Sequence, residues 1–216
     1  MEKQSDNCKR LCNIVCLIGK LVTTTLTYFL IFSVCLVLLY RYIPIPVTPL
    51  MIARTIEARI NGEELLIQHK WVPYEQISSD LVNAVINAED AHFYEHRGFD
   101  LEAIRYAKEM NERYGYIIGG GSTITQQTAK NIFCTHARTY LRKAVETYYS
   151  VLIELLWGKE RILEVYLNMI EMGDGVFGAE AAAQAFFHCS AQDLSKYEAE
   201  QIAYSLPAPR TYMGKP

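Results

Sequence analysis

Hydrophobic and polar positions divide this chain into one long uncharged segment near the N-terminus and a series of shorter periodic segments. Residues 21–40 contain no charged side chain. In a helix these residues would rise about 1.5 Å each, which matches the hydrocarbon thickness of a bilayer. The run ends in Arg41 and a proline-rich stretch rather than in the small residues of a cleavage site. A retained membrane anchor is therefore favoured over a cleavable signal peptide.

The charges around this segment predict its orientation. Lys3, Lys9, Arg10 and Lys20 precede the span, and Arg41 directly follows it. This excess of basic residues before the span predicts a cytoplasmic N-terminus. We accordingly expect four parts, which are a cytoplasmic segment (1–20), a transmembrane anchor (21–40), a stalk with a hairpin (41–70) and a folded domain (71–216).

The folded part is predicted to be mainly helical. The Asn61-Gly62 turn signal predicts a β-hairpin with strands at 54–60 and 63–69. Beyond it, apolar positions recur with helical spacing. Helices are expected from Ser78 or Ser79 to Glu89, from the Asp100 cap to Gly115, and after a Ser122 cap. Further helices are expected at about 138–156, 159–171, 177–187 and 194–206.

Composition excludes some classes of function. The net charge of −3 gives no general argument for a nucleic-acid partner. Of the six cysteines, only Cys134 and Cys189 follow the span. The sequence does not decide whether these two thiols pair.

The first candidate for chemistry is Glu89, which ends an apolar predicted helix. A carboxylate that leaves a buried helix can have its pKa raised by desolvation, which suits a general base. The residues that follow include Asp90, His96 and Asp100. On spacing alone, a solvated helix end with a capping histidine is the simpler interpretation, and a general base is the alternative.

The second candidate is a glycine-rich loop, residues 115–121, which leads into the helix after Ser122. Glycines at a helix N-terminus expose backbone N–H groups that suit an anion. The loop is not a P-loop, because no Gly-Lys-Ser/Thr follows. An ordinary flexible loop explains the same residues, so the pattern leaves both interpretations open.

The third candidate is a basic stretch without acidic residues. Five basic residues lie between Arg113 and Val145, although residues 41–216 as a whole carry 17 basic and 22 acidic ones. This asymmetry favours a phosphate or pyrophosphate ligand. Arg138, Arg142 and Glu146 are spaced to share a helix face, so a surface ion-pair ladder is the competing interpretation.

Five ordered segments resemble the motifs of the peptidoglycan glycosyltransferases, glycosyltransferase family 51. They read EDAHFYEHRGFD (89–100), GGSTITQQTAKN (120–131), RKAVE (142–146), KERILEVYLN (159–168) and GDGVFGAEAAAQAFF (173–187). The last segment resembles the monofunctional biosynthetic peptidoglycan transglycosylase branch, in which no transpeptidase domain is expected. The resemblance implies a lysozyme-like helical glycosyltransferase domain with a small β-hairpin, preceded by one transmembrane helix.

The resemblance also implies a reaction. Lipid-linked disaccharide-peptide units (lipid II) would be added to a growing glycan strand through inverting β-1,4 bonds, releasing undecaprenyl pyrophosphate. Glu89 would be the general base, and Glu146 would be the second catalytic carboxylate. The residues expected to bind substrate are Ser122, Gln126, Gln127, Lys130, Asn131, Arg138 and Arg142.

Further expectations concern cofactor, partners and location. Glu146 is the candidate ligand of a divalent metal, Mg²⁺, which would rely largely on phosphate oxygens and water. The expected partners are lipid II, the growing glycan strand, the cytoplasmic membrane and other proteins of cell-wall synthesis or division. The expected location is the cell inner membrane, with the catalytic domain on its outer, periplasmic side.

Two alternative functions remain open from the sequence. A lytic transglycosylase or lysozyme-type enzyme would share the fold but cleave glycan, and it would need a general acid and no pyrophosphate clamp. An inactive membrane scaffold for cell-wall synthesis would need neither carboxylate.

Overall fold

The structure, a computed structural model, describes residues 2–63, 66–115, 121–135 and 139–214, with side chains from Asn13 onward. It divides into two compact units, 1–42 and 43–216. Helix α1 (Glu2–Tyr40) lies in the first unit. Its stretch Asn13–Tyr40 has the length and apolar character of a membrane span. The division into four parts stays a prediction.

The first segment after the anchor departs from the prediction. Residues 54–60, expected to form a strand, belong to helix α2 (Pro49–Ile60). The Thr48 side chain caps this helix by accepting a hydrogen bond from the Met51 N–H at 3.2 Å. Met51 and Ala58, two helical turns apart, are buried. The hairpin prediction was wrong here because the Asn61-Gly62 pair ends a helix instead of turning a strand.

The second unit is mostly helical. Two of its helices begin at the predicted caps, since the Ser78 and Asp100 side chains accept hydrogen bonds from the first turns of α3 and α4. In chain order, its elements after α2 are β1 (Gln68–His69), a 3-10 turn (Tyr74–Gln76), α3 (Ser79–Glu89), α4 (Leu101–Tyr114), α5 (Ile124–Phe133), α6 (Tyr140–Leu156), α7 (Lys159–Met169), β2 (Glu171–Gly173), β3 (Val176–Phe177), α8 (Ala179–Ala182), a π-helical segment (Ala183–Phe187), α9 (Lys196–Ser205) and α10 (Pro209–Tyr212).

The three strands form one small sheet in the order β1-β3-β2. Strands β2 and β3 are antiparallel neighbours, so the hairpin of the predicted fold class exists, but at 171–177. Strand β1 pairs with β3 in parallel. A glycine is required directly after β3, because Gly178 has φ +84° and an added Cβ would lie 2.4 Å from the Asn168 carbonyl oxygen.

The core of the second unit brings the five sequence motifs together. Helix α5 packs against α6 and α7, and α3 packs against α9. Phe93, Ile124, Tyr166 and Phe177, which come from four of the motifs, are almost fully buried. The mainly helical fold with a small sheet, preceded by one helix of membrane-spanning length, confirms the predicted fold class.

The N-terminus of α5 corrects one predicted cap. The capping residue is Thr123, not Ser122. The Thr123 hydroxyl accepts the Gln126 N–H at 3.2 Å, and the Gln126 side-chain carbonyl accepts the Thr123 N–H at 3.1 Å. This reciprocal capping box needs a Gln or Glu three residues after the cap, and Gln126 supplies it only for Thr123.

We therefore expect Thr123→Ala to destabilise the protein more than Ser122→Ala. Loss of the cap should cost about 1–2 kcal/mol, which lowers the melting temperature by roughly 2–4 °C per kcal/mol. The Thr123 hydroxyl also donates to the Gly98 carbonyl at 2.7 Å, which adds to the loss. Thermal unfolding of both variants in the same detergent measures the difference. A larger loss in Ser122→Ala would contradict the assignment.

Candidate active site

The segment between α3 and α4 is folded around the buried carboxylate of Asp90. Asp90 Oδ2 accepts the N–H of Ile124, the first residue of α5, at 2.9 Å. Asp90 Oδ1 lies 2.8 Å from His96 Nε2. Because His96 Nδ1 accepts the Gly98 N–H at 3.1 Å, Nε2 carries the proton and donates to Asp90. Asp90 thus joins the end of α3 to the positive N-terminus of α5.

Glu89, the last residue of α3, is half-buried and meets a side chain from α5. Gln127 Nε2 donates to Glu89 Oε2 at 2.6 Å. The other end of the same amide is also held, because the Tyr166 hydroxyl donates to Gln127 Oε1 at 3.3 Å. Complete burial, reinforced by the charges of Glu89 and Asp90, raises the pKa of Tyr166 well above its ordinary value. Tyr166 therefore stays a protonated donor.

Glu89 opens onto a cleft of about 660 Å³. The cleft lies between the end of α3, the first turns of α4 and the loop before α5, so Glu89 and Ser122 share it. Its lining side chains include Asn87, His92, Asp100, Glu102 and Tyr106. Gly121 belongs to this wall, and an added Cβ there would lie 2.6 Å from the Ile104 Cα. The glycine thus allows the loop to approach the α4 backbone closely.

A cluster of charges surrounds Glu146 on α6. Glu146 is 2% exposed, and its Oε2 and Oε1 accept from Arg142 Nη1 and Lys143 Nζ at 2.5 Å each. Among the residues that the structure describes, the buried Arg142 Nε has no hydrogen-bond partner. A buried N–H without an acceptor costs free energy, so this atom is a site where an anion would be stabilising.

Lys130 connects this cluster to Glu89. Burial lowers the pKa of Lys130, the charge of Glu146 opposes that shift, and Arg142, Lys143 and Glu89 also act on it. The charges of both candidate carboxylates, Glu146 and Glu89, therefore act on the pKa of Lys130. Cys134, the residue that ends α5, lies close to the same charges, and its burial raises the pKa of the thiol to about 11. Cys134 and Cys189 are both free thiols.

Three further residues, Gln126, Asn131 and Arg138, were predicted to bind substrate. Gln126 is buried, and its carbonyl is engaged in the α5 capping box. Asn131 is buried on α5. Arg138 lies outside the described residues. The substrate-binding roles of these three stay predictions.

Sequence reasoning did not assign four residues that build the site, which are Asp90, His96, Lys143 and Tyr166. Lys143 was visible as a member of the basic stretch, and Asp90 and His96 as members of the first motif. Tyr166 is 39 residues from its partner Gln127, so no local sequence pattern predicts this contact.

The residues present do not make a preformed metal site. In the described parts of the chain, no group of three or more His, Cys, Asp or Glu side chains is placed to hold a metal ion. Both oxygens of Glu146 are bound by cationic side chains. The Mg²⁺ expectation stays a prediction, and no step of the chemistry below depends on it.

Comparison with known proteins identifies the family. The model of the Transglycosylase family matches residues 58–215. This chain belongs to the transglycosylase family. The match confirms the family resemblance of the five motifs, all of which lie inside the matched region.

Three similar proteins are each named biosynthetic peptidoglycan transglycosylase. The protein of Bdellovibrio bacteriovorus is 47% identical over 194 residues, covering 89% of this chain and 77% of the relative. That of Caulobacter vibrioides is 53% identical over 173 residues, covering 80% and 72%. That of Pseudomonas fluorescens strain SBW25 is 48% identical over 196 residues, covering 91% and 81%.

In this transglycosylase, the contact between Tyr166 and Gln127 is open to a direct test. Tyr166→Phe leaves Gln127 Oε1 without this donor, so the amide is less firmly held toward Glu89. We expect turnover to fall roughly fivefold, the equivalent of about 1 kcal/mol, with little change in KM. Tyr204→Phe is the matched control, because Tyr204 is 71% exposed. Equal turnover in both variants would remove Tyr166 from the positioning of Glu89.

Proposed function

We propose that this transglycosylase is a membrane-anchored peptidoglycan polymerase that adds lipid-linked disaccharide-peptide units to a glycan strand. The observation that carries the proposal is the 2.6 Å hydrogen bond from the Gln127 amide to Glu89. The donor fixes the position of the carboxylate, and a general base must lie within hydrogen-bond reach of the proton that it removes. The three relatives, each named biosynthetic peptidoglycan transglycosylase, support a role in peptidoglycan synthesis.

In the proposed reaction, an acceptor sugar hydroxyl attacks C1 of the donor sugar. The new C1–O bond forms while the C1–O bond to pyrophosphate breaks, and the hydroxyl proton passes to Glu89. The bonding electrons leave with undecaprenyl pyrophosphate. Attack opposite an α-linked leaving group inverts C1 and gives a β-1,4 bond, so one base is enough and no covalent enzyme intermediate forms.

The leaving pyrophosphate gains negative charge as the bond breaks, and Lys130 and Arg142 are the proposed partners of that charge. The unpartnered Arg142 Nε supplies a buried donor, and the charges of both carboxylates act on the pKa of the Lys130 ammonium. Glu146 holds Arg142 and Lys143 in place through its two ion pairs. In this proposal Glu146 acts through the cations rather than on the sugar.

A glycan-cleaving activity fits these residues less well. A hydrolase or lytic enzyme must protonate a sugar alkoxide, which requires a neutral acid beside the scissile bond. Glu89 instead accepts a hydrogen bond from an amide, and Lys130, on whose pKa the Glu89 charge acts, suits an anionic leaving group. An inactive scaffold would not need the two hydrogen bonds that join Tyr166 to Gln127 and Gln127 to Glu89.

The N-terminal helix supports the expected location of the enzyme at a membrane. The apolar stretch Asn13–Tyr40 anchors the chain in a membrane. A lipid-linked substrate stays in the same bilayer, so anchoring raises its effective concentration. We propose that the bilayer is the inner membrane, with the N-terminus cytoplasmic, and that lipid II and other proteins of cell-wall synthesis or division are the partners.

The deciding experiment compares Glu89→Gln with wild type on purified lipid II in detergent, with products separated by length. We expect wild type to make long lysozyme-sensitive glycan and the variant to lose at least roughly a hundredfold in rate, because the base is gone. Glu95→Gln is the matched control, since Glu95 is exposed in the same motif. Shortening of preformed glycan by wild type would replace polymerisation with cleavage, and no effect of Glu89→Gln would remove its role.

Lys130 gives a prediction for pH dependence. Its pKa is lowered from 10.5 by burial, so between the lowered pKa and 10.5 the folded protein binds fewer protons than the unfolded chain. Folding stability from this group therefore rises with pH across that window, and the cost of burying the charge is fully present below it. Activity should change in the opposite sense, because a neutral amine no longer stabilises pyrophosphate.

We expect the alkaline limb of the kcat/KM profile to lie below pH 10.5 in wild type and to move upward in Lys130→Arg, whose guanidinium stays charged. Initial rates of lipid II polymerisation from neutral to alkaline pH measure both profiles. An unshifted limb in Lys130→Arg would show that another group titrates.

The metal prediction is tested in the same assay. We expect chelation by EDTA to slow polymerisation and Mg²⁺ to restore it, with the ion held mainly by pyrophosphate oxygens. Equal rates before and after chelation would remove the metal from the reaction.

A further inference from the structure

The folded domain has a second cavity, which the proposed reaction does not use. Its volume is about 370 Å³, and it lies between the 3-10 turn before α3, the first half of α3, Tyr94 and the start of α7. We call it the tyrosine cavity, because Tyr74 and Tyr94 line it. None of its described lining residues lines the cleft of Glu89. A cavity of this size accommodates a small ligand or a long side chain.

The tyrosine cavity adjoins the cleft of Glu89 along two segments of the chain. Asn83 lines the cavity, and Asn87, one turn further along α3, lines the cleft. One turn is a rise of about 6 Å for four residues. In the segment after α3, His92 lines the cleft and Tyr94 lines the cavity. A ligand that occupies the cleft can therefore extend into the cavity.

The walls of the cavity are held in place by the fold. Ile77 and Val82 supply apolar lining, and each is only 6% exposed. Ser78, between the 3-10 turn and α3, donates its N–H to the Ala191 carbonyl at 2.9 Å and its hydroxyl to the Leu194 carbonyl at 3.2 Å. The cavity is thus formed before a ligand binds, so binding needs little further ordering.

Two aromatic rings form one wall. Tyr74 is half-buried, Tyr94 is 59% exposed, and their hydroxyl groups are hydrogen-bonded to each other. Burial raises the pKa of Tyr74 to about 12, and the Tyr94 hydroxyl and the charge of Glu160 add to the shift. Tyr74 therefore stays neutral at physiological pH. The faces of neutral tyrosine rings attract cations.

The charged side chains in the described lining are both acidic. They are Glu75 and Glu160, which are exposed. The basic residues on either side of Glu160 bind other carboxylates, since Lys159 Nζ lies 2.7 Å from Glu154 Oε1 and Arg161 Nη1 donates to another glutamate of α7 at 2.9 Å. A phosphate or carboxylate ligand would be repelled here, whereas a cation would be attracted.

These features together suit an alkylammonium group. Its methylene chain would lie against Ile77 and Val82, and its charge would lie near the tyrosine rings, Glu75 and Glu160. A neutral sugar could use the carboxylates as hydrogen-bond acceptors, but it would gain nothing from their charge. The combination of an apolar floor, an aromatic wall and acidic groups therefore favours an amine over a sugar.

We propose that the tyrosine cavity binds an amine-bearing side chain in the peptide of the disaccharide-peptide substrate. The inference rests on the proposed function, because it needs the reacting sugar in the cleft of Glu89. A peptide of three extended residues reaches about 10 Å, which is enough to pass from the cleft into the adjoining cavity. The cavity then selects substrates by the charge of their peptide, separately from the sugars that react.

The test compares two forms of lipid II, one with a lysine in its peptide and one with that lysine acetylated on Nζ, which removes the charge. Binding is measured by titration of full-length Glu89→Gln in detergent, because loss of the base prevents turnover. We expect acetylation to weaken binding roughly fivefold. When Glu75→Gln and Glu160→Gln are added, the lysine form should bind as weakly as the acetylated form.

The matched control adds Glu109→Gln and Glu200→Gln instead, because these exposed carboxylates lie on α4 and α9 outside the cavity lining. This variant should keep the preference for the lysine form. Equal binding of the two forms to the Glu89→Gln protein would overturn the proposal. Equal weakening of both forms by the two cavity substitutions would also overturn it, in favour of carboxylates that bind sugar hydroxyls.

Polymerisation by wild type, measured with both forms of lipid II, separates this inference from the proposed function. Polymer from wild type together with equal binding of the two forms contradicts the amine site alone. No polymer from either form contradicts the proposed function, whatever the binding measurements give.

Discussion

The site depends first on the buried carboxylate of Asp90. Its two hydrogen bonds, to the Ile124 N–H and to His96, join the C-terminus of one helix to the N-terminus of another. Glu89 is the neighbouring residue, so this junction decides where its carboxylate lies. Without it, the α3 end would be free to fray, and Gln127 would have no fixed partner. Burial of Asp90 is tolerated only because His96 and the positive end of α5 both donate to it.

The second important feature of the site is the cluster of charges around Glu146, whose members also act on Lys130. Glu146 sits between Arg142 and Lys143, while Lys130 stands on the adjoining helix. Partial burial of the Lys130 ammonium is costly in the free protein, as its lowered pKa indicates. The cost is reduced when an anion arrives. The cluster therefore suits the anionic leaving group of the proposed reaction, and part of the free-energy cost of binding would already be present in the folded protein.

Local sequence predicted those features that depend on local physics. Ser78 and Asp100 cap their helices as expected, since a cap needs only its own first turn. The ordered motifs, recognised by resemblance, marked Glu89. The hairpin failed because Asn61-Gly62 is compatible with a helix end as well as with a turn, and the Thr48 cap thirteen residues earlier decided between them. The contact of Tyr166 with Gln127 is tertiary, and helical periodicity identifies Tyr166 only as a core residue.

The thiol of Cys134 has a consequence for chemical durability. It is 3% exposed, and its pKa is raised to about 11. At pH 7 only about one such group in ten thousand is a thiolate, which is the species that attacks disulfides and alkylating agents. Oxidants would trap an ordinary exposed cysteine in mixed disulfides. Here packing and protonation both protect the sulfur at the end of α5, so an unpaired cysteine can persist although the charges of the Glu146 cluster act on it.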